Sequence, residues 1–575
     1  MADYDKEYFN EIIGILRKKK LSKQGISSLK TQLCRKYKTD IPTDIKILLS
    51  ADVKDRKFLK HLTTKPTRTI SGVAVCAIMT KPIKCPHGKC TICPGGPDSF
   101  FGDIPQSYTG KEPAARRALR NDFDPYLQVM NRLEQYIMTG HVPDKIELII
   151  MGGTFPSFGK AYQDYFVKYA LKAMNDFSRM FFRNKELDLV KFKTFFEMPG
   201  DFQDDKRVKR IQKKLIKLKN KTKTTVEKEQ KKNESSKTRC VGLTIETRPD
   251  FAKLNHANQM LRLGATRVEL GVQTAYDDIL KKIERGHSVR ESIDATQILK
   301  NLGFKINYHM MIGLPGSTKA KDIKSFRTIF NNPSFKPDML KIYPCMVLKG
   351  TKLYGLWKNK KYAPPTTEEA VEIIAEIKRF VPPYVRIMRV QRDIPTQLAE
   401  AGVDRNNLRQ YIDKALREKG IKCSCIRCRE IGHKLKKEKI NLKNIKLKML
   451  EYDASNGKEF FISFDDMKNN ALIGFCRLRF PSQTLRKEIT KNSALVRELH
   501  VFGSAIPLGR KGKIQHAGYG KKLLKKAEQI AIKNKKHKIV VISGIGVRNY
   551  YRRLGYKRQG PYMVKYLNLK SKIKC

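Results

Sequence analysis

Between about residues 69 and 350, short β-type apolar runs alternate with longer stretches of helical periodicity. The runs are Gly72–Met79, Ile146–Gly152, Cys240–Glu246, Arg267–Val272, Lys305–Ile312 and Met339–Tyr343. Strands that alternate with helices build a parallel sheet, and this number predicts a partial or full β/α barrel. In such barrels the chemistry sits on loops at the C-terminal ends of the strands.

Other regions break this pattern. Residues 1–68 are lysine-rich with helical spacing (Tyr8, Ile12, Ile15, Leu16) and predict a small basic helical unit. Residues 203–238 are charged and of low complexity, and read as a helix plus a solvated linker inside a barrel unit spanning 69–400. Residues 401–440 read as a joint. From about 441 to 575 antiparallel-type strands (Phe460–Phe464, Ala471–Phe480, Ala494–Phe502) lead to a helix (Lys521–Lys533) and a strand (Ile539–Ser543). The fold class is α/β, with a smaller α+β unit at the C-terminal end.

Composition sharpens this. A chain of 575 residues is too long for one core. Its formal net charge of +62 points to a polyanionic partner, RNA or DNA. No apolar run approaches the ~20 residues of a membrane span. Met1-Ala-Asp-Tyr-Asp is not a signal peptide, so a cytoplasmic location is expected. The 12 cysteines then belong to a reducing compartment, where clusters of them read as metal sites. Cys34, Cys76, Cys240, Cys345, Cys476 and Cys575 are scattered.

The first cluster is Cys85-Pro-His-Gly-Lys-Cys90-Thr-Ile-Cys93, directly after an apolar strand. Three thiolates can hold three irons of a [4Fe-4S] cluster, leaving the fourth open to S-adenosylmethionine (SAM). The alternative is structural zinc, with His87 as fourth ligand. The spacing is four residues then two, a variant of the radical-SAM pattern of three then two. Gly152-Gly153-Thr154, Glu246-Thr-Arg248 and Gly271-Val-Gln273 occupy the same strand-end position.

The second cluster is Cys423, Cys425, Cys428 and His433, which matches a closed Cys3His zinc site. Farther on, Gln515-His-Ala-Gly518-Tyr519-Gly520 lies between a long strand and a helix. Such a turn offers backbone N–H groups to a pyrophosphate. With Arg497-Glu498-Leu499-His500 before it and Asn549-Tyr550-Tyr551 after it, it matches the coenzyme A signature of the GNAT acetyltransferases.

A radical-SAM-like unit, a Cys3His joint and a GNAT-like unit in one chain resemble the catalytic subunit of Elongator, a tRNA-modifying family. The resemblance runs from about Lys65 to Lys565. Its carriers include Arg68-Thr-Ile-Ser-Gly-Val-Ala-Val75, Cys85-Pro-His-Gly-Lys-Cys90, Met151-Gly-Gly-Thr-Phe155, Thr244-Ile-Glu-Thr-Arg-Pro-Asp250, Val268-Glu-Leu-Gly-Val-Gln273, Glu498-Leu-His-Val-Phe-Gly503 and Gly560-Pro-Tyr-Met-Val564. The short gap between the first two cluster cysteines is similar to archaeal members.

The resemblance implies a reaction: a carboxymethyl-type group is placed on C5 of wobble uridine 34. Acetyl-CoA supplies the carbons and a SAM-derived radical the reactivity. It implies cluster ligation by Cys85, Cys90 and Cys93, and a methionine-amine seat at Gly152, Gly153 and Thr154. Glu246, Arg248, Glu269 and Gln273 become candidates for SAM contacts, with barrel-interior hydrogen bonding as the alternative for Glu269 and Gln273. Lys145 is placed against acetyl-CoA, Arg497 to His500 along the pantetheine arm, and Gln515, Gly518, Tyr519 and Gly520 around the pyrophosphate. Tyr550 and Tyr551 would close on the thioester, or else pack the last helix.

The expected partners are the anticodon stem-loop of tRNA and an electron donor, with no membrane and no required further subunit; a homodimer is left open. Candidate RNA contacts are the basic N-terminal arm, Arg116, Arg117, Arg120, Tyr308 and His309. The competing function is a protein lysine acetyltransferase with a structural cluster. It needs neither SAM nor a reductant, and a basic surface would repel a basic peptide.

Overall fold

The computed structural model describes residues 3–52, 54–55, 58–64, 69, 71–184, 186–198, 200, 204–435, 444–503 and 518–568. Gln515, Cys575 and part of the basic arm before β1 lie outside the described residues.

Three helices open the chain: α1 (Asp3–Lys18), α2 (Lys23–Tyr37) and α3 (Asp44–Ser50). Ser22 and Thr43 cap α2 and α3 by accepting backbone N–H groups. Tyr8, Ile12, Leu16, Ile26, Leu33 and Ile47 bury together as a separate small core. Lys18, Lys19 and Lys20 stay exposed at the end of α1.

Seven strands form the barrel: β1 (Ala74–Met79), β2 (Lys145–Met151), β3 (Arg239–Thr247), β4 (Arg267–Gln273), β5 (Lys305–Ile312), β6 (Met339–Pro344) and β7 (Arg386–Arg389). They pair in sequence order, all parallel, and β1 does not pair with β7. The result is an open, partial barrel. The seventh strand was not foreseen, because four residues with two arginines carry no readable period.

Strand alternation sorts the side chains. Ile146, Leu148 and Ile150 of β2 point outward into the helical layer and are wholly buried. Lys145 and Glu147 take the opposite, inner face. The inner face is strongly polar: Glu147, Glu246, Arg267, Glu269, Asn307, His309 and Lys341 share it.

The lysine-rich stretch 203–238 departs from the linker reading. It forms α5 (Asp205–Asn220) and α6 (Val226–Asn233), and α6 packs on α4 (Lys160–Phe181). Glu229 and Asn233 are wholly buried and bonded to Asn175 of α4, at 2.7 and 2.8 Å. Ile211, Leu215 and Val226 bury in the main core, and the polar bonds of Glu229 and Asn233 complete the anchoring.

A second seven-stranded sheet follows, built from β8 (Ile445–Ala454), β9 (Gly457–Asp466), β10 (Ala471–Phe480), β11 (Ser493–Val501), β12 (Lys538–Val541), β13 (Lys557–Gln559) and β14 (Tyr562–Tyr566). Its order is β8-β9-β10-β11-β12-β14-β13, with only β11 and β12 parallel. Helix α7 (Tyr519–Lys533) covers β9–β11.

This sheet plugs the N-terminal end of the barrel, opposite the cysteine loop. Arg497 of β11 forks onto Asp338, just before β6, at 2.7 and 2.6 Å, and donates to the Phe304 carbonyl before β5. Arg477 and Arg479 of β10 join Glu498 and Glu459 beside it. All these side chains are buried, so each charge depends on its partners.

Candidate active site

At the C-terminal end of β1 the chain turns into the loop that carries Cys85, Cys90 and Cys93, all buried. Gln106 fastens this loop, accepting from the Cys85 N–H and donating to the Gly88 carbonyl. Burial pushes the Cys85 and Cys93 thiols up, which favours them as ligands only once a metal takes the proton's place. Each sulfur has polar company. Cys85 Sγ lies 3.4 Å from the Thr154 hydroxyl, Cys93 Sγ accepts from the Ser107 N–H at 3.2 Å, and Cys90 Sγ accepts from Arg285 at 3.5 Å.

Among the described residues, the sets compact enough for a single ion are Cys423/Cys425/Cys428 and Glu246/Glu269/His309. The Cys85/Cys90/Cys93 set is not one of them, and a wider spread of thiolates suits a polynuclear cluster. His87 Nε2 lies 3.0 Å from Cys90 Sγ, beside the thiol set. Gly152 and Gly153 both have positive φ, at +108° and +71°, and Gly153 passes close to Cys85. A Cβ on Gly152 would meet Thr80 Oγ1 at 2.6 Å. The Gly-Gly-Thr turn therefore lies against the cysteine loop.

Arg248 departs from its expected role. Its guanidinium forks onto Asp250 at 2.9 Å for both bonds and donates to the carbonyls of Arg285 and Gly286, at 2.7 and 2.6 Å. It is a clamp on the backbone and has little left for SAM. Gln273 closes β4 with φ +71° and leaves its buried amide oxygen without a partner among the described residues.

Below the cysteine loop, Glu246, Glu269, His309 and Lys341 converge from four neighbouring strands. His309 Nε2 lies 2.7 Å from Glu269, and Lys341 pairs with both Glu269 and Glu246, the latter at 3.1 Å. Tyr108 donates to Glu246 at 2.9 Å. Burial opposes the charge on Glu269, but Lys341, His309 and Arg267 outweigh it and hold the carboxyl well below its ordinary range. Burial and Lys341 lower the His309 pKa, against the opposing pull of Glu269 and Glu246. The set has the reach to hold a cation, and the Lys341 ammonium already fills that role. Tyr108, Lys341 and Arg267 were not foreseen, since register alone brings them together.

Deeper in the lumen, Arg267 pairs with Glu147 and, at 3.2 Å, with Glu269. The wholly buried Asn307 leaves both ends of its amide without partners among the described residues. Lys145 sits at the bottom of this face, half-buried, and burial lowers its pKa.

The second sheet presents its own opening. β11 pairs with β12 only over Ser493–Val496, and a bulge at Arg497 turns the rest of β11 away. The Arg497–Val501 backbone is thus free of β12. Leu499 and Val501 face α7, and Gly520 lies over Val501, its ideal Cβ 3.7 Å from Val501 Cγ2. Gly518 starts α7 with φ +86° and no side-chain cap. The Tyr519 ring packs on Phe464, and the Tyr550 hydroxyl sits 3.2 Å from the Cβ position of Gly520.

The side chains of Arg497 and Glu498 turn instead into the barrel floor, and His500 lies 3.3 Å from the Ser71 carbonyl oxygen. Arg497 therefore offers a cofactor only its backbone. Tyr551 is also corrected: it is 5% exposed and packs in the core beside Tyr556.

At the joint, Cys423, Cys425 and Cys428 form a compact set, with the buried Lys378 amine 3.5 Å from Cys428 Sγ. His433 stands outside that set, 3.8 Å from Glu430. The RNA candidates divide. Arg116 and Arg120 are exposed, Arg117 is buried, Tyr308 is wholly buried against Thr296, and His309 faces the lumen. No helix among the described residues is long and apolar enough to cross a membrane.

Comparison with known proteins decides the family. Residues 82–328 match the Radical SAM superfamily and residues 337–418 the Radical_SAM C-terminal domain. The tRNA uridine(34) acetyltransferase of Methanocaldococcus jannaschii is 49% identical over 558 residues, covering 96% of this chain and 95% of that protein. Elongator complex protein 3 of Homo sapiens is 39% identical over 555 residues, covering 94% and 93%. The chain belongs to the Elongator catalytic-subunit family. The solved structure of Methanocaldococcus infernus Elp3, lacking residues 1–46, superposes with a TM-score of 0.71 at 45% identity. It covers 87% of this chain and 100% of that one. This member of the Elongator family is thus an enzyme with a radical SAM barrel.

Proposed function

We propose that the protein modifies C5 of wobble uridine 34 in tRNA, using SAM and acetyl-CoA. One arrangement carries this reading. A cysteine loop crowns one end of a polar barrel lumen, and a sheet with a splayed central strand closes the other. C5 of uracil is carbon, and the acetyl methyl group is the carbon to be joined to it. An ordinary acyl transfer joins the carbonyl carbon to a nucleophile and leaves the methyl untouched.

Cys85, Cys90 and Cys93 would hold a [4Fe-4S] cluster, and the chemistry it supplies when bound is one-electron cleavage of SAM. Gly152, Gly153 and Thr154 would seat the methionine end. Acetyl-CoA would lie with its pantetheine along the free backbone of Arg497–Val501 and its pyrophosphate at Gly518–Gly520. Tyr550, beside Gly520, would flank it. Lys145 and Glu147 stand where the thioester end would enter the lumen. His309, Glu269 and Lys341 line the passage between the two ends.

A separate zinc ion would sit on Cys423, Cys425 and Cys428. The tRNA would approach through the exposed lysines of α1 and through Arg116 and Arg120, which set affinity and position.

The test is nucleoside mass spectrometry of tRNA incubated anaerobically with the reconstituted chain, SAM, reductant and acetyl-CoA. A carboxymethyl-type mass gain at uridine 34 that needs all four reagents supports the reading. Acetyl-lysine formed without SAM would favour a protein acetyltransferase.

A further inference from the structure

Arg285 is assigned no part in the reading above, yet it reaches the cysteine loop from outside. Its Nη1 donates to Cys90 Sγ at 3.5 Å and its Nη2 to the Gly271 carbonyl at 3.1 Å. The site is built to admit it. A Cβ on Gly271 would stand 2.4 Å from Arg285 Nη2, so any larger residue would push the guanidinium aside. The backbone of Arg285 is fixed as well, because Arg248 holds the carbonyls of Arg285 and Gly286 while Asp250 holds Arg248. Thr91 adds a second tie between the cysteine loop and this segment, its N–H on the Ile283 carbonyl at 3.0 Å and its hydroxyl on Glu284 at 3.2 Å. The chain Asp250–Arg248–Arg285–Cys90 is a single braced unit.

We infer that Arg285 sets the reduction potential of the cluster through Cys90, and that Arg248 acts as a positioning residue for it. The inference rests on Cys85, Cys90 and Cys93 being cluster ligands. Three thiolates bring three negative charges, and reduction adds one more electron. A guanidinium N–H on a ligand sulfur stabilises the reduced form more than the oxidised form and so raises the potential. The electron comes from an external one-electron donor. His87 Nε2 lies 3.0 Å from the same sulfur.

The test is an anaerobic potentiometric titration of the reconstituted full chain, followed by EPR of the reduced cluster. Iron and sulfide content are measured alongside. Arg285→Met is expected to load the cluster and shift the midpoint negative. At a fixed donor potential the ratio of reduced to oxidised cluster falls about tenfold, which is about 59 mV for a one-electron couple. Arg285→Lys keeps the charge but cannot span Gly271 and Cys90 together, so it shifts the midpoint less in the same direction. Arg248→Met also shifts it negative. An unchanged midpoint in a loaded Arg285→Lys and Arg285→Met pair overturns the inference. So does an unchanged midpoint with weakened SAM binding, which would place Arg285 on SAM. If Arg285→Met does not load, the midpoint of Arg285→Lys decides. Failure of the wild-type chain to bind iron and sulfide would instead sink the cluster reading itself.

Discussion

Arg497 lies in the second sheet and Asp338 at the foot of β6, and their two-pronged ion pair, at 2.7 and 2.6 Å, joins that sheet to the barrel floor. Both side chains are wholly buried. Removing one partner leaves an uncompensated buried charge, which costs about 3–5 kcal/mol. Arg497→Ala is therefore expected to lower the unfolding midpoint in denaturant and to separate the two units into two transitions. A single, unshifted transition would contradict this.

Lys300 lies at the edge of the same group, at 3.5 Å from Glu459 and 3.9 Å from Asp338, with no hydrogen-bond partner for Nζ among the described residues. Burial, with repulsion from Arg497 and Arg479, outweighs both carboxylates and pulls its pKa from 10.5 to about 8. The sign follows from linkage. A depressed folded pKa gives stability that is present above pH 10.5 and lost as pH falls toward 8. At pH 7 the charged, buried lysine costs on the order of 3 kcal/mol. Lys300→Met should raise the melting temperature at pH 7, and the gain should shrink between pH 8 and 10.5. Melting curves across that range check it.

Glu234, just past α6, accepts from Arg548 at 3.1 Å and Arg552 at 2.7 Å, next to Tyr550. Glu234→Ala leaves the buried Arg548 with the neutral Gln230 at 3.5 Å and no carboxylate, at about 3 kcal/mol. Acetyl-CoA binding by calorimetry should weaken, while SAM binding at the far end of the barrel should not change. Equal loss of both would argue against a local effect.

The metal proposed for the joint rests on Cys423, Cys425 and Cys428. Cys428→Ser should release the metal and lower thermal stability, as should a strong chelator. His433→Ala should keep one metal ion per chain, because His433 stands outside the compact thiolate set. Elemental analysis of the two variants decides between them.

Six of the seven barrel strands and the cysteine loop were legible because their signals are local: a short apolar run, then three cysteines within nine residues. The lumen was not. Glu246, Glu269, His309 and Lys341 come from four strands and meet only through parallel register, which no single-strand pattern encodes. Arg248 illustrates the limit. A strand-end arginine suits a cofactor carboxylate, but whether its fork is already spent on Asp250 and two carbonyls is a tertiary fact. The 203–238 stretch misled for a physical reason: its buried apolar side chains, Ile211, Leu215 and Val226, are sparse among lysines, and Glu229 and Asn233 are buried by hydrogen bonds that a polar sequence does not reveal. β8 was missed because most of it is exposed, with lysines alternating along an edge.

The most direct test of the central claim uses acetyl-CoA deuterated on the acetyl methyl, with tRNA, SAM, reductant and the reconstituted chain. The account predicts deuterium in 5'-deoxyadenosine together with a carboxymethyl-type mass gain on uridine 34. SAM left intact while acetyl groups pass to lysine would contradict it.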